Sequence, residues 1–255
     1  MAKWILKKQL EEQWLYRFLT TLFIFGQVWM RILQRRIHRD NLLEQLAIVG
    51  WGSLLAVVLI NTFTGVLFTI QTTRELSQFG AKSLVGGAFA LGYCRELAPV
   101  LTAGLLVGEV SSAFAAEIGE MRVTDQIDAL YILHTDPIDY LVVPRVLSCC
   151  LMLPVLTVLA IGGAMLGGTL AGAKIYGIPP TVFLNSIQAV LEVGDLCGIV
   201  LKAFIFGIIT GLVGCGWGLT TTGGAKGVSK STKAAVVNGW ILVFFANFVL
   251  TIWLT

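Results

Sequence analysis

Charged side chains that interrupt long apolar runs are the residues of this chain most able to do chemistry. The densest group lies in residues 117–130, EIGEMRVTDQIDAL, where five charges fall within twelve positions: Glu117, Glu120, Arg122, Asp125 and Asp128. The segment stands between Leu97–Ala116, which has one charge, and Val146–Ala173, which has none. A charge at the centre of a bilayer costs about 3 kcal/mol or more. The segment must therefore lie at a water boundary, where a soluble partner could grip it.

The same segment carries signals for a short helix. Thr124 can cap a helix start, and Asp125 and Asp128 would then lie near its positive end. Asp136-Pro137 should stop the helix, because a residue before proline disfavours the helical conformation. From the residues alone, an ordinary solvated helix and a docking helix are equally good interpretations.

Three further charged positions need an explanation. Arg95-Glu96 precedes the second apolar run, either as an ion pair that ends a helix or with the arginine facing a cavity, where it could bind a phosphate bidentately. Glu109 lies about 18 Å along a helix from Leu97. A carboxylate facing lipid there would cost about 3 kcal/mol, so Glu109 must be paired, protonated or nearer the inner surface than the run suggests.

Catalytic motifs are weak in this sequence. His134 and Asp139 match an acyltransferase-like H-x4-D spacing, but that spacing is common by chance and no companion phosphate-binding motif accompanies it. No HExxH zinc motif is present, so no metal site is expected. Gly218-x4-Gly223 is followed by Gly224 rather than the lysine of a P-loop. We therefore expect no catalytic residue and no cofactor on this chain, and any ATP and Mg²⁺ should be bound by a partner.

The elements that position these residues follow from the composition. Hydrophobic residues make up 56% of the chain and charged residues 13%, and the mean hydropathy is +0.82. About 25% charged residues is normal for a soluble domain, whereas about 20 apolar residues are needed to span a bilayer as a helix. These values predict an all-α polytopic membrane protein with five spans: Gln45–Thr73, Leu97–Ala116, Val146–Ala173, Ala203–Ala225 and Ala234–Thr255.

Residues 1–44 differ from the rest and form a predicted N-terminal segment ahead of a membrane domain at 45–255. Trp14–Leu33 is aromatic and apolar but is interrupted by Arg17, Gln27 and Arg31, which favours an amphipathic helix lying in the interface over a signal peptide. Thirteen Lys and Arg residues fall on the N-terminal side of the predicted spans and five on the other. This bias places the N-terminus and residues 117–145 inside and the C-terminus outside.

Four sequence pieces together resemble the signature of MlaE-type permeases. They are the 117–130 segment, TDPIDYLVVPR at 135–145, RELAPV at 95–100 and WGLTTTGGAKG at 217–227. The resemblance covers about residues 40–255, and the wording is most similar to cyanobacterial or plastid members. Proteins of this family are membrane subunits of lipid-transporting ABC systems, so the expected location is a bacterial inner (plasma) membrane or a plastid inner envelope.

The resemblance also implies partners and sites. Two copies would pair, bind two cytoplasmic ABC ATPase subunits and meet an MCE-domain lipid-binding protein; the cargo would be a phospholipid, and no nucleic acid is expected. Residues 117–130, the coupling segment below, would dock on the ATPase through Glu117, Gly119, Met121, Arg122, Thr124, Asp125, Gln126 and Asp128. A lipid cavity between the copies would be lined by Gln71, Phe68, Arg95 and Glu96. Family members usually carry arginine in a G-R-x-G-S pattern where this chain has Glu109.

Three other function classes stay open from the residues. A secondary transporter could use Glu109 as a proton relay and would need no ATPase. An intramembrane lipid enzyme would depend on His134 and Asp139. A pure assembly scaffold would bind partners without changing their ATPase rate.

Overall fold

The computed structural model describes residues 17, 19–21, 23–31 and 39–254. The described part is 91% helical and contains no strand, so the predicted all-α class is confirmed. Residues 1–16, 18, 22, 32–38 and 255, which include much of the predicted N-terminal segment, lie outside the described residues. After residue 38 the helices are α1 Arg39–Gln78, α2 Lys82–Val123, α3 Gln126–Ile132, α4 Ile138–Tyr176, α5 Pro180–Gln188, α6 Val193–Leu219 and α7 Gly224–Leu254.

Five of these helices, α1, α2, α4, α6 and α7, are long and apolar enough to cross a membrane, as the sequence predicts. Their ends were predicted wrongly. Arg95-Glu96 does not open the second span, because α2 already begins at Lys82. Lys202 likewise lies inside α6 and not in a connection. A charged residue indicates the end of a membrane helix only when its side chain must be solvated by water. Arg95 and Lys202 are instead paired with acidic side chains of the protein.

The chain divides by contacts into two compact units, and each long helix contributes residues to both. Unit 1 comprises Met1–Ala47, Leu106–Cys149 and Ile208–Leu242. Its core includes Ala115, Val213, Trp217 and Ala235. Close approach of helices is possible here because glycines face backbone: a β-carbon on Gly214 would lie 2.7 Å from the carbonyl oxygen of Ser111. Such small residues let the helix backbones pack closely, and this van der Waals packing stabilises helix association in lipid, where the hydrophobic effect does not drive it.

Unit 2 comprises Ile48–Leu105, Cys150–Gly207 and Val243–Thr255. Its core is aromatic: the ring of Phe89 stacks on Tyr93 with centroids 5.0 Å apart and contacts Phe183 at 5.6 Å. The hydroxyl of Tyr93 donates to the side-chain oxygen of Asn61 at 2.9 Å, which satisfies both polar groups in the apolar interior. The first position of α5 is Pro180, whose fixed φ and missing N–H suit a helix start.

Three π-helical stretches interrupt the long helices in the described residues, and each contains charged side chains. They are Ala90–Leu97 with Arg95 and Glu96, Val107–Ser111 with Glu109, and Ile138–Val142 with Asp139. A π turn inserts a residue into the turn and changes the direction of the side chains that follow, and such turns are frequent at functional sites. These stretches therefore set where the intramembrane charges point.

Candidate functional site

Glu96 is the centre of a polar network in unit 2. Its carboxylate accepts hydrogen bonds from Lys202 Nζ at 2.8 Å, Thr251 Oγ1 at 2.8 Å and Asn247 Nδ2 at 3.3 Å. Lys202 is only 2% exposed, and its ammonium also donates to Thr251 Oγ1 at 2.9 Å. A buried ion pair offsets its desolvation only when the remaining groups are hydrogen bonded, and the threonine and asparagine supply those bonds.

A second charge pair lies next to the first along α2. Arg95 Nη1 lies 3.3 Å from Asp195 Oδ1, and Arg95 Nη2 donates to the carbonyl oxygen of Leu254 at 3.4 Å. Both pairs line one cavity of about 260 Å³, together with Glu192, Gly194, Gly198, Ile199, Thr251 and Leu254. The cavity thus presents two cations and three carboxylates, a set suited to a ligand that carries both polar and charged groups.

Gln71 and Phe68, predicted to share the cavity with Arg95 and Glu96, do not line it in the single chain. Gln71 is exposed on α1. Phe68 packs at the aromatic cluster, with its ring centroid 5.9 Å from Phe89 and 5.8 Å from Tyr93. The role of both residues at a cavity between two copies stays a prediction.

The coupling segment forms a sharp turn between two helices in unit 1. We expected Thr124 to start a helix, but it ends α2. Its N–H and its hydroxyl both donate to the carbonyl oxygen of Glu120. α3 begins after Asp125, whose φ of 59° places it in the left-handed region. Aspartate tolerates that conformation better than most residues. The chain therefore reverses at Thr124-Asp125, and both side chains are exposed.

Two ion pairs involve residues of the coupling segment. Arg122 Nη1 lies 2.9 Å from Asp128 Oδ1, across the turn. Arg145 Nη2 lies 2.9 Å from Glu117 Oε2, and the Arg145 guanidinium also stacks over the ring of Phe114 at 5.4 Å. The predicted docking residues Glu117, Arg122 and Asp128 are thus engaged within the chain.

Other predicted docking residues remain available at the surface. Thr124, Asp125 and Gln126 are exposed, whereas Met121 is half-buried and Gly119 is buried. Glu120, which was not among the predicted docking residues, is exposed beside them. A β-carbon on Gly119 would lie 3.0 Å from Thr221 Oγ1, so the glycine allows α2 to approach the α6–α7 connection. Beyond Asp128, the sequence reasoning missed an apolar patch, Tyr131, Ile132 and Leu133, whose exposures are 58%, 78% and 72%. Acidic groups beside exposed apolar side chains are suited to binding a soluble protein.

The structure also shows where the remaining candidates, Glu109, His134 and Asp139, lie. Glu109 lies in a π-helical stretch of α2 and is exposed. Asp139 is buried and its Oδ1 lies 3.1 Å from Arg31 Nη1, while His134 is exposed with its Nδ1 3.1 Å from the carbonyl of Ile132. The His134–Asp139 spacing therefore gives no assembled acid–base pair.

The sequence reasoning also missed the partners of Arg95 and Glu96. Lys202, Asp195, Asn247 and Thr251 come from α6 and α7, more than 90 residues away along the chain. The one available signal was a matched set of lone charges in otherwise apolar runs, Glu96 against Lys202. Pairing between distant helices cannot be read from a single sequence.

A charged cavity among apolar helices and an exposed turn between two helices are features of polytopic membrane transport subunits. A model of the family described as Permease MlaE matches residues 42–253. The chain belongs to the MlaE permease family, as its motifs predict.

Its relatives fit that assignment. A probable ABC transporter permease protein of Synechocystis sp. is 51% identical over 241 residues, which cover 94% of this chain and 91% of the relative. The Arabidopsis thaliana protein TRIGALACTOSYLDIACYLGLYCEROL 1, chloroplastic, is 43% identical, covering 94% of this chain and 68% of the relative. A probable ABC transporter permease protein of Rickettsia felis is 36% identical, covering 91% and 89%. With five apolar helices, the chain is a multi-pass protein of a bacterial inner membrane or a plastid inner envelope, as predicted.

Proposed function

We propose that this chain is the permease subunit of an ATP-driven ABC transporter that moves phospholipid-class lipids. The observation that carries the proposal is the exposed coupling segment, because a subunit without its own ATPase motif needs a surface through which a partner can drive it. The Synechocystis and Rickettsia relatives are named as probable ABC transporter permeases, which supports the same conclusion. ATP and Mg²⁺ would be bound by a separate cytoplasmic ATPase subunit.

The coupling segment has the features that such a contact requires. It turns sharply at Asp125, presents Glu120 and Gln126 to solvent, and carries the Arg122–Asp128 and Glu117–Arg145 pairs. An exposed turn at the end of a long helix can pass a push from a soluble partner to that helix. Because α2 contains both Glu117 and the Arg95-Glu96 pair, movement of the segment is expected to change the cavity through that helix.

The charged cavity supports a lipid as the cargo. Arg95 offers a guanidinium that can bind a phosphate bidentately, and Asp195, its present partner, can exchange with a ligand anion. One relative, TRIGALACTOSYLDIACYLGLYCEROL 1, is named after a lipid. Gln71 is exposed on the single chain, as a residue facing a cavity between two copies would be. We therefore propose a dimer, with an MCE-domain protein receiving or supplying the lipid.

The secondary-transporter alternative depends on Glu109. Glu109 is exposed on a membrane-length helix, but family membership favours an ATP-driven system. Glu109→Gln separates the two hypotheses, because it should abolish transport by a proton relay and leave ATP-dependent lipid movement intact.

The first test is a mild-detergent pull-down of the tagged protein from its native membrane, with mass spectrometry of proteins and lipids. We expect a P-loop ATPase, an MCE-domain protein and bound phospholipid to co-purify. A lone protein, under conditions that preserve a known ABC complex from the same membrane, would contradict the proposal. In the reconstituted complex, charge reversal at Asp125 or Asp128 should uncouple lipid movement from ATP turnover, whereas the same reversal at exposed Glu75 should not.

A further inference from the structure

The N-terminal helix, residues 17, 19–21 and 23–31 as described, is held to unit 1 by an arginine at each end. Its outer face is apolar, with Leu19, Phe23, Phe25, Trp29 and Met30 between 41% and 68% exposed, whereas Ile24 and Val28 are buried. A helix with one exposed apolar face suits the membrane interface. Anchoring it to protein at two points is more than membrane attachment requires.

The first anchor is at Arg17. Its guanidinium stacks over the ring of Trp217 at 5.5 Å and donates to Ser231 Oγ at 3.2 Å, so it contacts both α6 and α7. Burial lowers the pKa of Arg17. One turn later, Thr21 packs directly on the backbone of Gly216, where no β-carbon would fit. This end of the helix is therefore fixed close to the α6–α7 connection.

The second anchor is at Arg31. Its Nη2 donates to Asp136 Oδ2 at 2.6 Å, and its Nη1 lies 3.1 Å from Asp139 Oδ1. Asp136 Oδ1 also accepts the N–H of Ile138, which starts α4. The hydrogen bond with Asp136 raises the pKa of Arg31 further. One cation thus holds two carboxylates, three residues apart, in the chain that leaves α3.

Between the two anchors lies a cavity of about 560 Å³. One wall is the N-terminal helix, with Thr20 and Gln27. Another wall includes Arg122 of the coupling segment and Tyr131 of α3. The end of α6 and the start of the α6–α7 connection, residues 219–222, form the third side. The coupling segment therefore has an open cavity beside it and the Arg31–Asp136 contact after it. This arrangement allows the segment to tilt while the chain that follows it stays bound to the N-terminal helix.

We infer that the N-terminal helix is a strut that fixes the exit of the coupling segment to the α6–α7 connection, with Arg31 as its positioning residue. When a partner pushes the coupling segment, the strut holds the start of α4 in place, so the push rotates helices instead of bending the loop. This consequence for transport rests on the function proposed above, whereas the geometry of the strut rests only on the contacts of Arg17 and Arg31.

The first experiment measures the geometry without any partner. In a Cys197→Ala background, since the other four cysteines are buried, spin labels at Gln27→Cys and Tyr131→Cys report the distance across the cavity in lipid nanodiscs. Arg31→Gln should broaden this distribution and shift it to longer distances, and Arg31→Lys should do so less because it keeps one contact. Arg39→Gln, at an exposed arginine on α1, is the control. An unchanged distribution in Arg31→Gln would overturn the strut.

The second experiment measures lipid moved per ATP hydrolysed by the reconstituted complex. Coupling energies between sites are typically worth about fivefold or more, so we expect Arg31→Gln to lower the ratio by about that factor while the complex still assembles. The charge swap Arg31→Asp with Asp136→Arg should restore it, because one cation again lies among the two carboxylates. If wild-type protein moves no lipid with ATP but the distance still responds to Arg31→Gln, the proposed function fails and the strut stands.

Discussion

The cavity of unit 2 and the coupling segment of unit 1 use ion pairs in opposite ways. At the cavity, the Lys202–Glu96 pair makes three further hydrogen bonds, two with Thr251 and one with Asn247. The lysine side chain is buried. At the coupling segment, Arg122 and Asp128 form one contact and both side chains are substantially exposed. The same pair chemistry therefore has very different energetic weight in the two regions.

The difference follows from what happens when one partner is lost. A charge left alone in an apolar interior keeps its full desolvation cost, so the cavity can change its charges only in pairs or by exchanging a partner for a ligand. A charge left alone at the surface is solvated by water. The coupling segment can therefore rearrange at low cost, which suits a moving part, and the cavity network is suited to a fixed site.

Lys202→Met should have the largest effect, because it leaves the Glu96 carboxylate without its cation. Removing one partner of a buried pair typically costs about 3–5 kcal/mol, which should appear as a large loss of thermal stability in detergent. Lys174→Met, at an exposed lysine of α4, is the matched control and should change little. The double variant Lys202→Met with Glu96→Gln should recover much of the loss; a double variant as unstable as the single would contradict the assignment.

Gly86→Ala should have the next largest effect, through packing instead of charge. A β-carbon at Gly86 would collide with the carbonyl oxygen of Phe183, so α2 and α5 must separate. Overpacking of this kind costs about 1–3 kcal/mol. Gly162→Ala, where no atom lies within 4 Å of the added carbon, should leave the melting temperature unchanged or slightly raised. Equal behaviour of the two variants would show that the α2–α5 contact is not tight.

Much of the fold could be predicted from the sequence, because long apolar runs in a bilayer have one solution, a helix. The pieces around 95, 117–145 and 217 also identified the family before any geometry was known. The predicted helix ends at Arg95 and Lys202 were wrong, because each of these charges pairs with a residue on another helix. The predicted helix start at Thr124 was wrong because Asp125 adopts a positive φ, which no local sequence pattern indicated.

Asp125→Asn tests the coupling segment without disturbing its fold. Asparagine also tolerates the left-handed conformation, so the melting temperature should not change. Hydrogen bonds to charged groups are worth about 1.5–3 kcal/mol, so loss of the carboxylate should weaken ATPase binding about tenfold, measured by titration in nanodiscs. Glu75→Gln, at an exposed acid outside the segment, should bind as wild type. Unchanged affinity in Asp125→Asn would remove Asp125 from the docking surface.

The Arg122–Asp128 pair should give the smallest effect on stability and so completes the contrast with Lys202–Glu96. Exposed pairs contribute about 0.2–1 kcal/mol and are screened by salt. A double-mutant cycle with Arg122→Gln and Asp128→Asn, followed by thermal unfolding, should give a coupling energy in that range that shrinks as salt increases. The corresponding cycle with Lys202→Met and Glu96→Gln should give a coupling energy that is several times larger and depends less on salt, because Lys202 is only 2% exposed. A coupling energy at Arg122–Asp128 equal to that of the buried pair would mean that the segment is a rigid anchor and not a movable contact.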